Sequence, residues 1–213
     1  MNPNIKIIME QFMGHCPGGS DLGILQDDDG NINPRAVRQY ADSVANFIES
    51  YYNLTLPALD GAGQVSARLD GLDVDVEDGN DEAGLPKILT AVRASLDALS
   101  QELSAPRFIL SICPAWTSNL DASVAQSCDY VNMQDYDGGR DTTPADYLSA
   151  VPGLKQQQLV WGFSSEMPPL NTTNPFAEVE AKVKETTIRS RTLYLQLPVI
   201  TSYLENLSLA RPK

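Results

Sequence analysis

Histidine, cysteine and positive charge are all scarce in this sequence. Its 213 residues include one histidine, His15, and three cysteines, Cys16, Cys113 and Cys128. A single histidine argues against a histidine-rich zinc site and leaves a Ser-His-Asp triad only one candidate base. Three scattered cysteines do not form a disulfide framework, although one bridge between two of them stays open.

Basic residues are outnumbered by acidic ones, 15 to 28, and the formal net charge is −13. Phosphate backbones and anionic lipids repel such a chain, so we expect neither nucleic acid nor a membrane surface as a partner. A neutral substrate such as a sugar is compatible with this charge. No apolar run approaches the ~18 residues that would span a bilayer. The N-terminal MNPNIKIIMEQFM has no basic segment followed by an apolar one, so no signal peptide is visible.

The acidic turn from Asp27 to Gly30 partly resembles a calcium-binding loop. Counting back from Gly30 puts Leu25 at the first ligand position, and Ala36 falls where the closing glutamate should be. Neither side chain binds calcium. We therefore interpret the segment as a solvated turn, and we expect no metal site.

Strand-like and helix-like segments alternate along the whole chain, which we interpret as one domain over 1–213. Strands are predicted at 5–13, 69–77, 107–113, 130–137, 158–163 and 192–197. Helices are predicted from Pro34, over 88–103, near 119–126, from Pro144 and from Pro175. Six short apolar strands alternating with helices predict a parallel α/β fold with both sheet faces covered. No G-x-G-x-x-G spacing follows the first strand, so a dinucleotide-binding fold has little support.

The stretch LDGLDVDVEDG, residues 69–79, has five acids in eleven residues, yet its apolar residues alternate regularly with the acids. Side chains alternate between the two faces of a strand, so Asp73, Asp75 and Glu77 point one way and the intervening apolar residues point the other way. In a β/α barrel the acids would face the axis. Burial and mutual repulsion would then keep at least one of them protonated, which suits a general acid. The alternatives are a solvent-facing acidic edge strand and a calcium site.

The segment Asp70-Gly71-Leu72-Asp73-Val74-Asp75-Val76-Glu77 resembles the DGxDxDxE signature of glycoside hydrolase family 18. This family comprises chitinases, endo-β-N-acetylglucosaminidases and catalytically inactive lectins. Gln134-Asp135-Tyr136-Asp137 resembles the motif on the family's sixth strand, and KIIMEQFMGHCPGGSDLG resembles its third strand and the following loop. The form of that loop, with a histidine before small residues, is closer to the endo-β-N-acetylglucosaminidases than to the chitinases.

The resemblance covers the chain from the family's third strand onward. It implies a TIM-like (β/α) barrel that is incomplete, with about six of eight βα units visible. An open barrel has two free strand edges, and these invite self-association. A truncated product, a barrel completed by another chain, and a fragment all remain open.

The resemblance also implies a mechanism in which the substrate supplies the nucleophile and no cofactor is needed. Glu77 would protonate the glycosidic oxygen, and the sugar's 2-acetamido oxygen would attack the anomeric carbon. Asp75 would hold the acetamido N–H, Asp73 would share a proton with Asp75, and Tyr136 would donate a hydrogen bond to the acetamido oxygen. Glu77 would then activate water, which gives retention. The implied partner is an oligosaccharide or polysaccharide that contains N-acetylglucosamine.

Other residues carry weaker predictions as substrate contacts. Gln134 either contacts the sugar or fills the barrel, and Asp137 either binds the sugar or caps a loop. Trp116 follows the fifth strand of the family and could stack on a sugar, and His15 lies at the top of the first visible strand. Trp161 is predicted to lie in the core and Glu166 to be solvated. The eighth strand has Tyr194 and Gln196 where many chitinases have a tryptophan.

Three functions remain open from the sequence. The first is a retaining hydrolase of β-1,4 linkages at N-acetylglucosamine, either an endo-β-N-acetylglucosaminidase or a chitinase. The others are a non-catalytic carbohydrate-binding relative and a barrel subunit whose partner supplies the missing strands. Family members are often secreted, so an extracellular location is favoured by the resemblance. The sequons that begin at Asn53, Asn171 and Asn206 matter only on a eukaryotic secretory route.

Overall fold

A computed structural model gives the structure of the protein. It describes residues 6–13, 25, 31–58, 61, 63–77, 84–118, 120–134, 142–164 and 194–196.

One parallel sheet of six strands organises the described residues. Its strands, in spatial order, are β1 (Ile8–Met13), β4 (Gly71–Val76), β5 (Ile109–Pro114), β6 (Tyr130–Gln134), β7 (Leu159–Ser164) and β8 (Tyr194–Gln196). Every neighbouring pair in this order is parallel. The six predicted strands and their chain order are confirmed, and the sheet is that of a TIM-like (β/α) barrel.

The barrel is not closed among the described residues. Within the ranges that the structure describes, strands β1 and β8 each pair on one side only and not with each other, which leaves two free edges in this part of the sheet. Ile8 and Glu10 on β1 are exposed, whereas every residue of the neighbouring strand β4 is buried. A complete barrel of this class has eight strands. The expectation of an incomplete barrel with about six βα units is confirmed.

In the described part of the chain, four α-helices follow strands of the sheet, and the helix predicted from Pro175 lies outside that part. The four helices are α1 (Pro34–Tyr52), α2 (Leu85–Glu102), α3 (Ala122–Ser127) and α4 (Pro144–Ala150), and a 3-10 turn covers Gln156–Gln158. The core lies between these helices and the outer sheet face, where Leu72, Val74 and Val76 are fully buried. None of the helices in the described residues has the length and apolar character of a membrane span.

The helix starts follow from local sequence. The Asn33 side chain accepts hydrogen bonds from the backbone N–H groups of Arg35 and Ala36, and Pro34 occupies the first helical position of α1. At the start of α4 the Thr143 N–H donates to Asp146 Oδ2 at 2.7 Å, and the Thr143 hydroxyl donates to the same oxygen. These hydrogen bonds lower the pKa of Asp146. Both predicted caps are confirmed.

Two features of the α1 region differ from the sequence predictions. The spacing of Val44, Phe47, Ile48 and Tyr51 at three and four residues predicts one helix face, but the Phe47 side chain is 44% exposed and packs against Tyr51, with ring centroids 5.0 Å apart. The apolar stripe is narrower than its spacing indicates, because α1 packs on the sheet and α2 through Val37, Ala41, Val44, Ala45 and Ile48. The antiparallel hairpin of β2 (Thr55–Pro57) and β3 (Gln64–Ser66) was not predicted.

The start of β4 is fixed by contacts of Asp70 and by the lack of a side chain at Gly71. The Asp70 carboxylate accepts from the Ile7 N–H at 3.0 Å and forms ion pairs with Lys6 and Arg68. A Cβ atom on Gly71 would overlap the backbone carbonyl of Ile109. The first two motif residues therefore join β4 to its neighbours on both sides.

Candidate active site

The strand register brings polar side chains of four strands to one face of the sheet. In β4, Asp73 and Asp75 lie opposite the core-facing Leu72, Val74 and Val76, as predicted. Asp73 pairs in register with Ser111 of β5, and Asp75 pairs with Cys113. Neighbouring residues in register share a face of the sheet. The barrel-facing set is therefore Glu10, Asp73, Asp75, Ser111, Cys113, Asn132 and Gln134.

Asp73 is held from the β5 and β6 side. Ser111 Oγ donates to Asp73 Oδ1 at 2.5 Å, and Asn132 Nδ2 donates to the same oxygen at 2.9 Å. Burial raises the pKa of Asp73 to about 6, although both hydrogen bonds oppose the rise, and the charge of Glu10 adds to it. Alternation along β6 predicts that Asn132 shares the inward face with Gln134, and this contact with Asp73 confirms it. The shared proton between Asp73 and Asp75 remains a prediction.

The Gln134 amide links Asp75 to Glu77. Its Nε2 lies 3.0 Å from Asp75 Oδ1, 3.3 Å from Glu77 Oε1 and 3.3 Å from the Cys113 carbonyl oxygen. Two N–H groups thus serve three oxygens. Gln134 is 1% exposed, so its orientation is fixed by these acceptors. The sequence left open whether this side chain only fills the barrel, and the structure places it in contact with both candidate catalytic carboxylates.

Burial and neighbouring negative charges act together on Asp75. Desolvation is the largest effect, the carboxylates of Glu77, Glu10 and Asp73 add to it, and the pKa of Asp75 rises to about 8. Asp75 is therefore protonated at neutral pH. Glu77 differs because its side chain is exposed at the C-terminal end of β4, where a substrate can reach it.

The cysteines described by the structure are thiols. Cys113 and Cys128 are buried and are not joined by a disulfide, so these two do not form the bridge that the sequence left open. Burial raises the pKa of the Cys128 thiol well above its usual range, which keeps it neutral. Cys16 lies outside the described residues.

The remaining candidates fall into two groups. Trp116 follows β5 and is 41% exposed, so it is available to a ligand, whereas Trp161 is 6% exposed and packs in the core, as predicted. The other candidates lie outside the described residues, namely His15, Tyr136, Asp137 and Glu166. The same is true of the acidic turn at Asp27. In the described part of the chain, no group of three or more histidine, cysteine, aspartate or glutamate side chains could hold a metal ion.

Sequence reasoning missed two polar residues of this face, Glu10 and Ser111. Both belong to strands that were predicted, and Ser111 stands in an alternating segment. Their position beside Asp73 depends on the register between strands that lie far apart in sequence. The available signal was the alternation of Ser111 and Cys113 with the aliphatic Leu110 and Ile112 in β5.

The geometry agrees with comparisons to known proteins. The family profile described as the endo-beta-N-acetylglucosaminidase EndoS TIM-barrel domain matches residues 42–196, more than half of the chain. No curated protein sequence matches the chain.

Solved structures share the fold at low sequence identity. An endo-β-N-acetylglucosaminidase from Cordyceps militaris has a TM-score of 0.51 and 19% identity, over 90% of this chain and 60% of that one. A family 18 chitinase from Cycas revoluta, in complex with (GlcNAc)3, has a TM-score of 0.55 and 16% identity, over 76% and 50%. A family 18 N-acetylglucosaminidase from Paenibacillus barengoltzii has a TM-score of 0.52 and 16% identity, over 76% and 52%.

The chain thus spans about half of the length of these solved structures, and up to 60% of the Cordyceps militaris enzyme. The profile match, the six-stranded parallel sheet and the DGxDxDxE strand next to its β1 edge agree with one another. The chain belongs to the family of the endo-β-N-acetylglucosaminidase EndoS TIM-barrel domain.

Proposed function

We propose that the protein is a retaining, substrate-assisted glycoside hydrolase that cleaves β-1,4 linkages at N-acetylglucosamine, of the endo-β-N-acetylglucosaminidase type. The contact that carries this proposal is the Gln134 amide, which lies within 3.3 Å of both Asp75 Oδ1 and Glu77 Oε1. It contacts a buried, protonated acid, Asp75, and an exposed acid, Glu77, which stands two residues later. A pair of carboxyl groups in two different environments is the usual arrangement for acid and base roles.

Glu77 is the general acid in this proposal. It lies at the C-terminal end of β4, where barrel enzymes place their catalytic groups. Its exposed side chain can approach the glycosidic oxygen of a bound sugar and later activate water. Gln134 orients the Glu77 carboxyl through Oε1.

Asp75 positions the substrate's own nucleophile. Its Oδ1 accepts from Gln134, and its Oδ2 would accept from the N–H of the 2-acetamido group. The acetamido oxygen then attacks the anomeric carbon as the bond to the leaving oxygen breaks, and the proton of Glu77 passes to that oxygen. The oxazolinium ion that results carries positive charge, which the remaining negative charge on the Asp73–Asp75 pair stabilises. This step requires N-acetylglucosamine at the cleavage point.

Four further residues complete the proposal. Tyr136 would donate to the acetamido oxygen, since it stands two residues after Gln134 in the motif. Trp116 is exposed beyond the end of β5, so its ring can stack on a sugar face. Asp137 and His15 are proposed as substrate contacts at the rim.

The proposed substrate is the di-N-acetylchitobiose core of N-glycans. The profile match to the EndoS domain supports this choice, and the Cordyceps militaris structure carries the same activity name. A net charge of −13 is compatible with a neutral glycan. Chitin oligosaccharides are the competing substrate, because the Cycas revoluta chitinase shares the fold and holds (GlcNAc)3.

Mass spectrometry of reaction products tests the proposal. Purified protein is incubated with a high-mannose glycopeptide and, separately, with chitooligosaccharides, beside Glu77→Gln. We expect cleavage between the two core N-acetylglucosamines, and a rate about 10²–10⁴-fold lower in the variant because the general acid is lost. Glu49→Gln, an exposed change on α1 with the same loss of charge, is the matched control. Cleavage of chitooligosaccharides alone would assign the protein as a chitinase.

The open sheet supports a second candidate, a non-catalytic binding module or a barrel subunit that needs a partner. Ile8 and Glu10 expose the barrel-facing side of β1, so the candidate site lacks a wall there among the described residues. Absence of turnover from protein with a cooperative thermal transition, together with binding of N-acetylglucosamine oligosaccharides in calorimetry, would favour this candidate over the hydrolase.

A further inference from the structure

A fourth carboxyl group, that of Glu10, lies on the barrel-facing side of the sheet, beside the row formed by Asp73, Asp75 and Glu77. Glu10 of β1 is paired in register with Asp73, and the next inward residue, Phe12, is paired with Asp75. Paired residues of parallel strands have Cα atoms ~4.8 Å apart and side chains on one face. Glu10 is therefore the direct neighbour of Asp73 on the side opposite Ser111.

The hydrogen bonds of Asp73 are one-sided. Oδ1 accepts from both Ser111 and Asn132, whereas Oδ2 is buried and has no hydrogen-bond partner among the described residues. Asp73 is only 3% exposed. A buried carboxylate oxygen without a donor is costly when the group is charged, and much less so when the group holds a proton.

We propose that Glu10 is a positioning residue of the candidate hydrolase, whose negative charge keeps a proton on the Asp73–Asp75 pair at neutral pH. The inference rests on the proposed function, because the proton matters only where Asp75 must hold an acetamido group. Glu10 acts through the two aspartates, so it is not a catalytic residue. Neither the family profile nor the likeness to solved structures assigns it a role.

Electrostatics gives the direction of the effect. The described polar and titratable groups around the pair are Glu10 on β1, Glu77 on β4, Ser111 and Cys113 on β5, Cys128 before β6, and Asn132 and Gln134 on β6. The thiol of Cys128 is neutral and the amides are uncharged. Of the groups outside the pair, Glu10 and Glu77 are therefore the ones whose charge acts on Asp73 and Asp75. The charge of Glu10 raises the pKa of both Asp73 and Asp75. Without it, each aspartate loses its proton at a lower pH.

Carbon-13 NMR of labelled aspartate side chains tests the inference without any need for turnover. The Asp73 and Asp75 carboxyl signals are assigned with Asp73→Asn and Asp75→Asn and titrated in wild type and in Glu10→Gln. We expect the midpoints of the pair to move to lower pH by about half a pH unit in Glu10→Gln, since Glu10 is exposed and its charge is partly screened. Glu10→Asp keeps the charge and should restore most of the wild-type midpoint.

Glu49→Gln is the matched control, because it removes one negative charge from an exposed position on α1. Unchanged midpoints in Glu10→Gln, equal to those of Glu49→Gln, would overturn the inference. Equal shifts in Glu10→Gln and Glu10→Asp would also overturn it, because a shift that ignores charge reports a structural role. If no variant hydrolyses a glycopeptide, the proposed function fails, but the titration still decides the role of Glu10.

Discussion

At the scale of single residues, β4 combines a backbone constraint with an electrostatic one. Gly71 is required because β5 approaches so closely that a Cβ atom would overlap the Ile109 carbonyl. Asp75, four residues later, pairs in register with the same strand and has a pKa raised mainly by burial. The two residues therefore predict opposite responses to substitution.

Replacement of Gly71 by alanine should destabilise the fold. The added methyl group meets backbone, which cannot move aside as a side chain can, so we expect a loss of about 1–3 kcal/mol in the free energy of unfolding. Urea denaturation of wild type and variant measures it. Gly84→Ala is the control, since its Cβ would closely approach only the flexible end of Ile32. Equal stability of the two variants would contradict the close approach of β5.

Replacement of Asp75 by asparagine should change how stability depends on pH. The folded-state pKa of about 8 lies above the ordinary 3.8, so the folded state keeps a proton that the unfolded chain releases. The stability of wild type therefore decreases as the pH rises from about 4 to 8. Asp75→Asn removes this decrease and should gain several kcal/mol relative to wild type between pH 4 and pH 8, at about 1.4 kcal/mol for each pH unit.

Urea denaturation across this pH range measures the change. The side-chain amide that Asp75→Asn introduces retains an oxygen that can accept from Gln134, so packing is preserved. Asp42→Asn, at an exposed position on α1, is the control and should follow the wild-type profile. Parallel profiles of Asp75→Asn and wild type would show that the Asp75 pKa is not raised in the folded protein.

At the scale of elements, the features that were predictable are local ones. Asn33-Pro34 and Thr143-Pro144 start α1 and α4 as their residue types indicate, because a cap depends on only three or four neighbouring residues. The alternation in β4 likewise gave the correct inward face. These signals are complete within one segment, so no tertiary information is needed to interpret them.

What could not be predicted depends on distant pairing or on very short segments. The contact of Ser111 with Asp73 requires the register between β4 and β5, and the position of Glu10 requires that between β1 and β4. The three-residue strands of the β2–β3 hairpin are too short for a periodic signal, although Asp60-Gly61 indicates a turn between them. The exposure of Phe47 depends on which sides of α1 have neighbours.

The cap of α1 gives a prediction at this scale. Asn33→Ala removes the acceptor for the N–H groups of Arg35 and Ala36, and should lower the free energy of unfolding by about 1 kcal/mol. Thermal or urea denaturation measures the loss. Asn46→Ala makes the same change in the exposed middle of α1, where alanine favours the helix, so its stability should be equal or slightly higher. Equal losses in both variants would argue against the cap.

At the scale of the whole molecule, the free edges of the sheet are the dominant feature. Strand β1 pairs only with β4 among the described residues, and Ile8 on its inward face is exposed. An edge strand has unpaired backbone N–H and C=O groups that can pair with another chain. Native proteins prevent this pairing with charged side chains on the edge or with a helix or loop that covers it. The net charge of −13 opposes association at long range but is screened by salt.

We therefore expect the protein to self-associate through this edge, more strongly as salt increases. Sedimentation velocity over a range of concentrations should show a rising average mass, and Ile8→Lys should suppress it because a charged edge resists pairing. Leu56→Lys is the control, since Leu56 is 48% exposed on the separate hairpin. A wild-type protein that is monomeric at every concentration and salt level would contradict this expectation.

The contacts of Asp70 show that the DGxDxDxE strand has a structural role at its start that is separate from the proposed chemical role of its end. Asp70 binds Lys6, Arg68 and the Ile7 backbone at one end of β4, while Glu77 lies at the other end, ~23 Å away along an extended strand. A descendant that kept Asp70 and Gly71 but replaced Glu77 would inherit the strand's anchorage and lose the proposed chemistry. The first two residues of such a motif therefore indicate a shared fold, whereas its final glutamate indicates whether a relative can carry out the proposed reaction.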